Sequence, residues 1–375
     1  MDTAKPSLDL VRSLTDEHVL RALMRHRRLT RAELAAEIGI SKPTAGESVR
    51  RLTERGLVVD TGERTPGGRG RGRVGSYYAL SADIGTALVV SIAPEGVVAE
   101  IIDVYGATLA RRQQAVDRPA RPAQVAAALQ TAAAEVHDGA VPPRLAVVSA
   151  ADPVDRATGR LIQLPDAPFL VGDLDPVTIL APHVRGPVIV DNDVNWAAQT
   201  EREHAGSDAP RDFAYLYLGE GVGCAIVSDG QIRRGSNGLA GEIAHLLTVG
   251  PHGQAMRLID LFDGLGLRQS RSTAIDVERL LSNCAGSRPE AAATREALGH
   301  AIGGVLSAIV ALTDPERVII GGPWGTAVLD SIRAAVSLMP RQPGVQPATL
   351  TSEPALVGAR ADALKRLRAS IAAAD

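Results

Sequence analysis

Cysteine is nearly missing from this chain of 375 residues: two are present, Cys224 and Cys284, far apart and in no metal-like spacing. That excludes a disulfide framework. Lysine is also scarce, and arginine carries nearly all the positive charge. The opening MDTAKPSLDL has no basic region followed by an apolar stretch, so it does not read as a secretion signal. No apolar run reads as long enough to cross a bilayer. These absences give the expectation of a cytoplasmic protein with no membrane partner. What is present is a hydrophobic content of 45%, enough for substantial cores, on a length that calls for two or three domains.

The net charge of −3 hides a split. Residues 1–75 hold 15 Lys plus Arg against 10 Asp plus Glu, whereas the remaining 300 hold 25 against 33. A basic head on an acidic body points to a head that meets a polyanion. In the head, LDLVRSLTDEHVLRALMRHR carries apolar residues at helical spacing. Thr30 and Glu33 form a capping box before a short helix that Gly39 stops. Ser41 then caps a second helix with Pro43 in its first turn, and LVVD follows as a strand.

Helix, glycine turn, helix, strand is the layout of a winged helix-turn-helix over residues 1–75. Its second helix would present Lys42, Thr44, Glu47, Arg50 and Arg51 to a major groove, with small Ala45 and Gly46 permitting close approach. Arg69, Arg71 and Arg73 in GGRGRGR would form a basic wing suited to a minor groove; the plain alternative is a solvated linker. Operator DNA is the expected partner.

From residue 77 strands alternate with helices. RLAVVSA and GPVIVDN read as buried parallel strands, DFAYLYLGEGVGCAIVSDGQIRRG as a glycine-turned hairpin, and ALGHAIGGVLSAIVALTDPERVIIGGP as helix, strand and glycine turn. The expectation is an α/β body of two similar lobes with a cleft between them, residues 76–195 and 196–355, the last helix (356–375) returning to the first lobe.

Three stretches, VDNDVNWAAQTERE at 190–203, GEGVGCAIVSDGQIRRGSNGLAGEIAHL at 219–246 and VIIGG at 318–322, resemble the ROK family (repressors, open reading frames and kinases) in its repressor branch. The resemblance covers nearly the whole chain and implies an actin-like, hexokinase-like body that holds a sugar between its lobes. It implies sugar contacts from Asn192, Asp193, Glu242 and His245, whose amide, carboxylates and imidazole can pair with ring hydroxyls. In the family's kinases the aspartate matching Asp193 takes the proton of the attacking sugar hydroxyl. Plainer readings are a helix cap for Asn192 or Asp193, and a surface i, i+3 helical pair for Glu242 and His245.

Four departures from the family argue against phosphoryl transfer. Asp83-Ile84-Gly85-Thr86-Ala87 replaces a leading phosphate loop that has two glycines and a threonine. Glu220 replaces a threonine in the second phosphate loop; a like-charge pair at about 4 Å costs about 4 kcal/mol at an effective dielectric of ~20. SAADPVDRATG at 149–159 lacks the glycine-rich sugar loop. The zinc cysteines are missing after His245, so zinc is not expected as a cofactor, as the altered phosphate loops make ATP unexpected, and Asp260 stands near the place of a sugar-binding glutamate. The expectation is therefore a sugar-responsive repressor, a homodimer or dimer of dimers, with Asp193 a vestigial base. An active ATP-dependent sugar kinase with a regulatory head is the alternative.

Overall fold

The computed structural model describes residues 8–66, 75–137 and 141–373. In the head, α1 (Leu8–His26) is followed by β1 (Arg28–Thr30), α2 (Arg31–Ile38), α3 (Lys42–Glu54), β2 (Val58–Arg64) and β3 (Ser76–Leu80). The capping box forms as the sequence predicts: Thr30 Oγ1 accepts from the Glu33 N–H and Glu33 Oε2 from the Thr30 N–H. Gly39 ends α2 at φ 71°, and Ser41 Oγ accepts the Thr44 N–H at the start of α3. β3 lies between β1 and β2 in one antiparallel sheet. That corrects the boundary at residue 75: the strand expected to open the body closes the head, because SYYAL pairs with both β1 and β2. Arg69, Arg71 and Arg73 lie outside the described residues.

The first lobe contains β4 (Ala87–Ala93), β5 (Gly96–Ile102), β6 (Thr108–Gln114), α4 (Pro122–His137), β7 (Ala146–Ala150), α5 (Pro176–Leu180) and β8 (Val188–Asn192). The connecting helix α6 (Asp193–Ala205) leads to β9 (Phe213–Leu218), β10 (Val222–Ser228) and β11 (Gln231–Ile232). A small hairpin, β12 (Leu247–Val249) with β13 (Ala255–Arg257), precedes α7 (Leu258–Gly264), α8 (Val277–Cys284) and α9 (Pro289–Thr313). The chain ends in β14 (Arg317–Gly321), α10 (Gly325–Ser337), β15 (Gly344–Pro347) and α11 (Pro354–Ala372).

The lobe sheets run β6-β5-β4-β7-β8 and β11-β10-β9-β14-β15. Each is an antiparallel meander of three strands extended by two parallel ones, so the same topology occurs twice. Parallel strands covered on both faces must be apolar throughout, and Ala146–Ala150 is buried at every position. α9 corrects one sequence expectation, since it is long and apolar enough to cross a membrane by length and composition. In the fold it is a core helix whose Leu298, Ile302, Val305 and Leu306 are fully buried.

α6 and α11 join the parts. Trp196 of α6 belongs to the first-lobe core, whereas Val194, Ala197 and Ala198 pack on the second sheet. α11 lies against α6, β4, β7 and α1. One apolar cluster therefore runs from Val19, Leu23 and Leu52 in the head through Ile84 and Val89 to Leu356, Ala363 and Ile371. Arg27 stacks on Tyr105 at 4.7 Å and seals the edge of this seam.

Candidate functional site

Sheet register assembles the interlobe site. Ile92 of β4 pairs with Ala150 of β7, and Ala150 with Asn192 of β8, so three strand ends lie side by side. Just beyond them stand Glu95, Asp152 and Asp193. Ligands in open α/β sheets gather outside the carboxyl ends of strands, and here a cavity of about 610 Å³ opens there, roofed by the second lobe.

The motif VDNDVNW divides its labour. Asp191 is nearly buried and held by Arg234 (2.6 Å) and Asn195 Nδ2 (2.8 Å), a structural anchor between the lobes. Asn192 caps α6, its Oδ1 accepting the Val194 N–H at 3.0 Å, while its Nδ2 donates to the Ala150 and Asp152 carbonyls. It lines the cavity, but the capping reading accounts for its side chain. Asp193 also accepts from Val194 N (2.7 Å) and otherwise faces the cavity. Burial, with the charges of Glu242 and Glu95, raises its carboxyl to about 7.

Glu242 lies in a turn segment after β11, not on a helix, so the surface-pair reading fails for it and for His245. Gly241 makes this placement possible: at φ 97° it lies so close to the Cys224 carbonyl that a Cβ would sit 1.8 Å from that oxygen. Desolvation raises Glu242 to about 7. His245 lines the same cavity and reaches across the lobes, its Nε2 3.1 Å from the Pro165 carbonyl and its Nδ1 3.4 Å from Arg257 Nη1. A carbonyl only accepts and a guanidinium only donates, so these contacts suit Nε2 as the donor and Nδ1 as the acceptor.

Asp260 is a correction. Both its carboxylate oxygens are taken by Arg257, at 2.7 and 2.8 Å, and it is not among the residues lining the cavity. Residues 83–87 are another. Arg144 Nε donates to the Ile84 carbonyl at 2.9 Å and holds this loop at the start of β4, away from the cleft. The hairpin turn that enters the cleft is Pro94-Glu95-Gly96. Glu220 does line the cavity, ion-paired across the lobes with Arg118. The hairpin β12–β13 follows His245, where the family resemblance implies zinc-binding cysteines, with Leu258 and Phe262 buried beside it.

Sequence reasoning missed Asp152. It is 2% exposed, lines the cavity, and its Oδ2 has no hydrogen-bond partner among the described residues. Burial and then the charges of Asp193 and Glu242 push it up to about 8. Two parallel strands ending in SAAD and VDND should have drawn attention to both acids, since neighbouring strand ends share a cleft.

On the head, Lys42, Thr44, Glu47 and Arg50 are exposed along α3. Arg50 lies between Glu47 and Glu54. Arg51 is a correction: it binds the nearly buried Asp16 of α1 at 2.6 Å and ties α3 to α1. Ala45 is fully buried and faces the head's core, so it does not open the helix to DNA.

Residues 95–361 match the family described as ROK family, and residues 12–59 match the winged helix-turn-helix DNA-binding family. The chain is 32% identical over 155 residues to the bifunctional enzyme NanE/NanK of Brucella suis, covering 40% of this chain and 29% of that enzyme. Among solved structures it superposes on a ROK family transcriptional regulator, homolog of the E. coli MLC protein, at a TM-score of 0.64 and 16% identity, covering 97% and 99% of the two chains. A ROK family glucokinase from Streptomyces griseus, in complex with glucose and AMPPNP, superposes at 0.56 and 24% identity, covering 75% of this chain and all of the other. At these identities the structural likenesses establish the fold.

Proposed function

This chain belongs to the ROK family, and with a winged helix-turn-helix ahead of the ROK body it has the organisation of a DNA-binding regulator; from that premise we propose a transcriptional repressor that senses a sugar or sugar derivative in the interlobe cleft. The carrying observation is the unbroken packing from cleft to head. The first turn of α6 holds Asp193 at the cavity, α6 packs on α11, and α11 packs on α1. A ligand that prefers one lobe arrangement thereby reaches the DNA-binding face. A tenfold change in operator affinity needs a preference of only about 1.4 kcal/mol.

The sensing reading rests on Asp193 and Glu242, whose carboxyl groups offer partners to ring hydroxyls, with His245 lining the same cavity and tying its two walls together. Asn192 supports them as a cap. The kinase reading has one observation in its favour: a buried carboxyl raised to about 7 is poised to take a proton. Against it, the cavity is lined by Glu95, Glu220 and Glu278 and by no lysine or arginine, which is hostile to a triphosphate. A homodimer in the cytoplasm, gripping two half-sites about 34–36 Å apart or a multiple of that, completes the proposal.

Fluorescence anisotropy of the full chain on operator DNA, with a panel of hexoses, pentoses and their amino and N-acetyl derivatives, tests it. One sugar should shift the binding curve, and no sugar should yield ADP from ATP in a coupled assay. Turnover that Asp193→Asn abolishes would establish the kinase reading instead.

A further inference from the structure

The acids of this protein follow a rule with one exception. Six carboxylates are buried among the described residues: Asp16, Glu100, Asp152, Asp191, Glu201 and Asp362. Asp16 is paired with Arg51, Glu100 with Arg111 and Arg360, Asp191 with Arg234, and Asp362 with Arg366. Glu201 accepts the backbone N–H groups of Thr349 and Leu350 at 2.8 and 3.1 Å. Asp152 alone has neither a cationic partner nor a pair of backbone N–H donors: Leu170 supplies one backbone hydrogen bond, and its Oδ2 has no partner among the described residues. In an arginine-rich chain this is a property of the place, since a buried carboxylate without compensation is costly.

The place is the cleft. Eight carboxylates line the cavity and no lysine or arginine does. Glu220 and Glu353 are neutralised from outside by Arg118 and Arg111, and Asp166 lies 3.5 Å from Arg257. Asp152, Asp193, Glu242 and Glu95 have no ion-pair partner among the described residues, and they approach the cavity from three strand ends and the facing loop. They are close enough for Asp152 to feel the charges of Asp193 and Glu242, and Asp193 those of Glu242 and Glu95. They are nevertheless too dispersed for a metal: among the described residues no group of three or more His, Cys, Asp or Glu could hold an ion. Several carboxyl groups spread around one small chamber, which burial keeps protonated while it is empty, suit a cation with a body that takes the place of a proton. Gln113, Asn195 and Tyr217 line the same chamber and supply hydrogen-bonding partners for a polyol.

The geometry points to a specific class of effector: a monosaccharide bearing a free, protonated amine, with its ammonium group against Asp152. This rests on the sugar-sensing reading and narrows it. A neutral sugar would offer Asp152 a hydroxyl and no charge. An N-acetylated sugar would offer it one amide N–H and no charge, and would add an acyl group beside the acids. The ammonium supplies three donors and the missing positive charge.

The first test is calorimetry on the unaltered chain. Glucosamine, mannosamine and galactosamine are each compared with their N-acetyl derivatives and with glucose, mannose and galactose. At least one free-amine sugar should bind ten-fold or more tightly than both of its neutral counterparts. Asp152→Asn, checked for folding by circular dichroism, should bring that preference below about three-fold, as a charge-assisted contact becomes a neutral one. A neutral or N-acetylated sugar binding as tightly as its free-amine form overturns this inference and leaves sugar sensing standing. If no sugar of either kind binds, the sensing reading falls and this inference with it. Binding of spermidine with no amino sugar does the same, since it shows a cation site without a polyol.

Discussion

Replacing Asp152 by asparagine should change how stability depends on pH, and the size of the change can be worked from the structure. In the folded chain burial, and then the neighbouring charges of Asp193 and Glu242, raise the Asp152 carboxyl to about 8. In the unfolded chain it titrates near the ordinary value of about 4. Between those limits the folded state holds a proton that the unfolded state releases. Stability from this group is therefore complete below about pH 4 and is lost as pH rises toward 8, with a slope of about 1.4 kcal/mol per pH unit for one proton. From about pH 5 to pH 7 the wild-type chain should lose about 3 kcal/mol through Asp152 alone. Asparagine has the same shape and no proton to lose. Asp193 and Glu242 titrate in the same direction in both proteins and cancel in the comparison. Urea unfolding of the ligand-free proteins at three pH values across this range gives the two curves. They should diverge as pH rises, with the variant the more stable at the upper end. Parallel curves would refute the argument, because they would mean Asp152 is already ionised in the fold, or hydrated.

Three other outcomes follow from the geometry. Arg51→Ala should destabilise the head by roughly 3 kcal/mol, because it strands the Asp16 carboxylate near-buried against Ser48; thermal melting would detect it, and a loss no larger than that of Arg50→Ala would return Arg51 to the DNA-facing set. Lys42→Ala should weaken operator binding on all sequences and lower the salt slope by about 1, as one phosphate contact is removed; an unchanged slope in anisotropy titrations would remove Lys42 from the interface. Glu220→Thr restores the residue the family usually carries in its second phosphate loop, yet should produce no ADP release with any hexose, since Glu95 and Glu278 still line the cavity; turnover would show that one carboxylate had silenced a working kinase.

Much of this architecture was legible because its signals are local. Caps at Thr30 and Ser41, the glycine at position 39 and the apolar run AVVSA each dictate structure within a few residues. Asp193 was legible because a strand followed directly by acids and a helix exposes a side chain at the sheet's edge. The misplaced loop at 83–87 shows the limit of that approach. DIGTA has the composition of a phosphate loop, but which turn enters the cleft depends on which strand opens the body. SYYAL had already been taken by the head's sheet. Ion pairing was less legible still. Asp16, Asp191 and Asp260 look no different from Asp152 in the sequence, and only tertiary neighbours show that arginine holds the first three and leaves the fourth. Glu242 needed Gly241's positive φ and the Cys224 carbonyl, a contact spanning 17 positions of sequence.

The pairing pattern also says which boundary of the molecule gives way when a ligand arrives. Between head and first lobe the seam is a continuous apolar core, in which Val19, Leu23, Ile84, Ala359, Ala363 and Leu367 are buried. Opening it would expose several side chains at about 1.5–3 kcal/mol each. The lobes are instead joined at the rim of the cleft by Arg118–Glu220, Arg257–Asp166 and the reach of His245 to Pro165. The two ion pairs involve half-exposed side chains, a kind worth about 0–1 kcal/mol each. The tighter tie, Arg234 to buried Asp191, sits at the root of α6, where a hinge belongs. A ligand with a preference of one or two kcal/mol can reset contacts of that strength and cannot break the apolar seam. If the cleft senses a ligand as proposed, the second lobe should therefore move against a unit made of the head and the first lobe, with α6 and α11 at the joint.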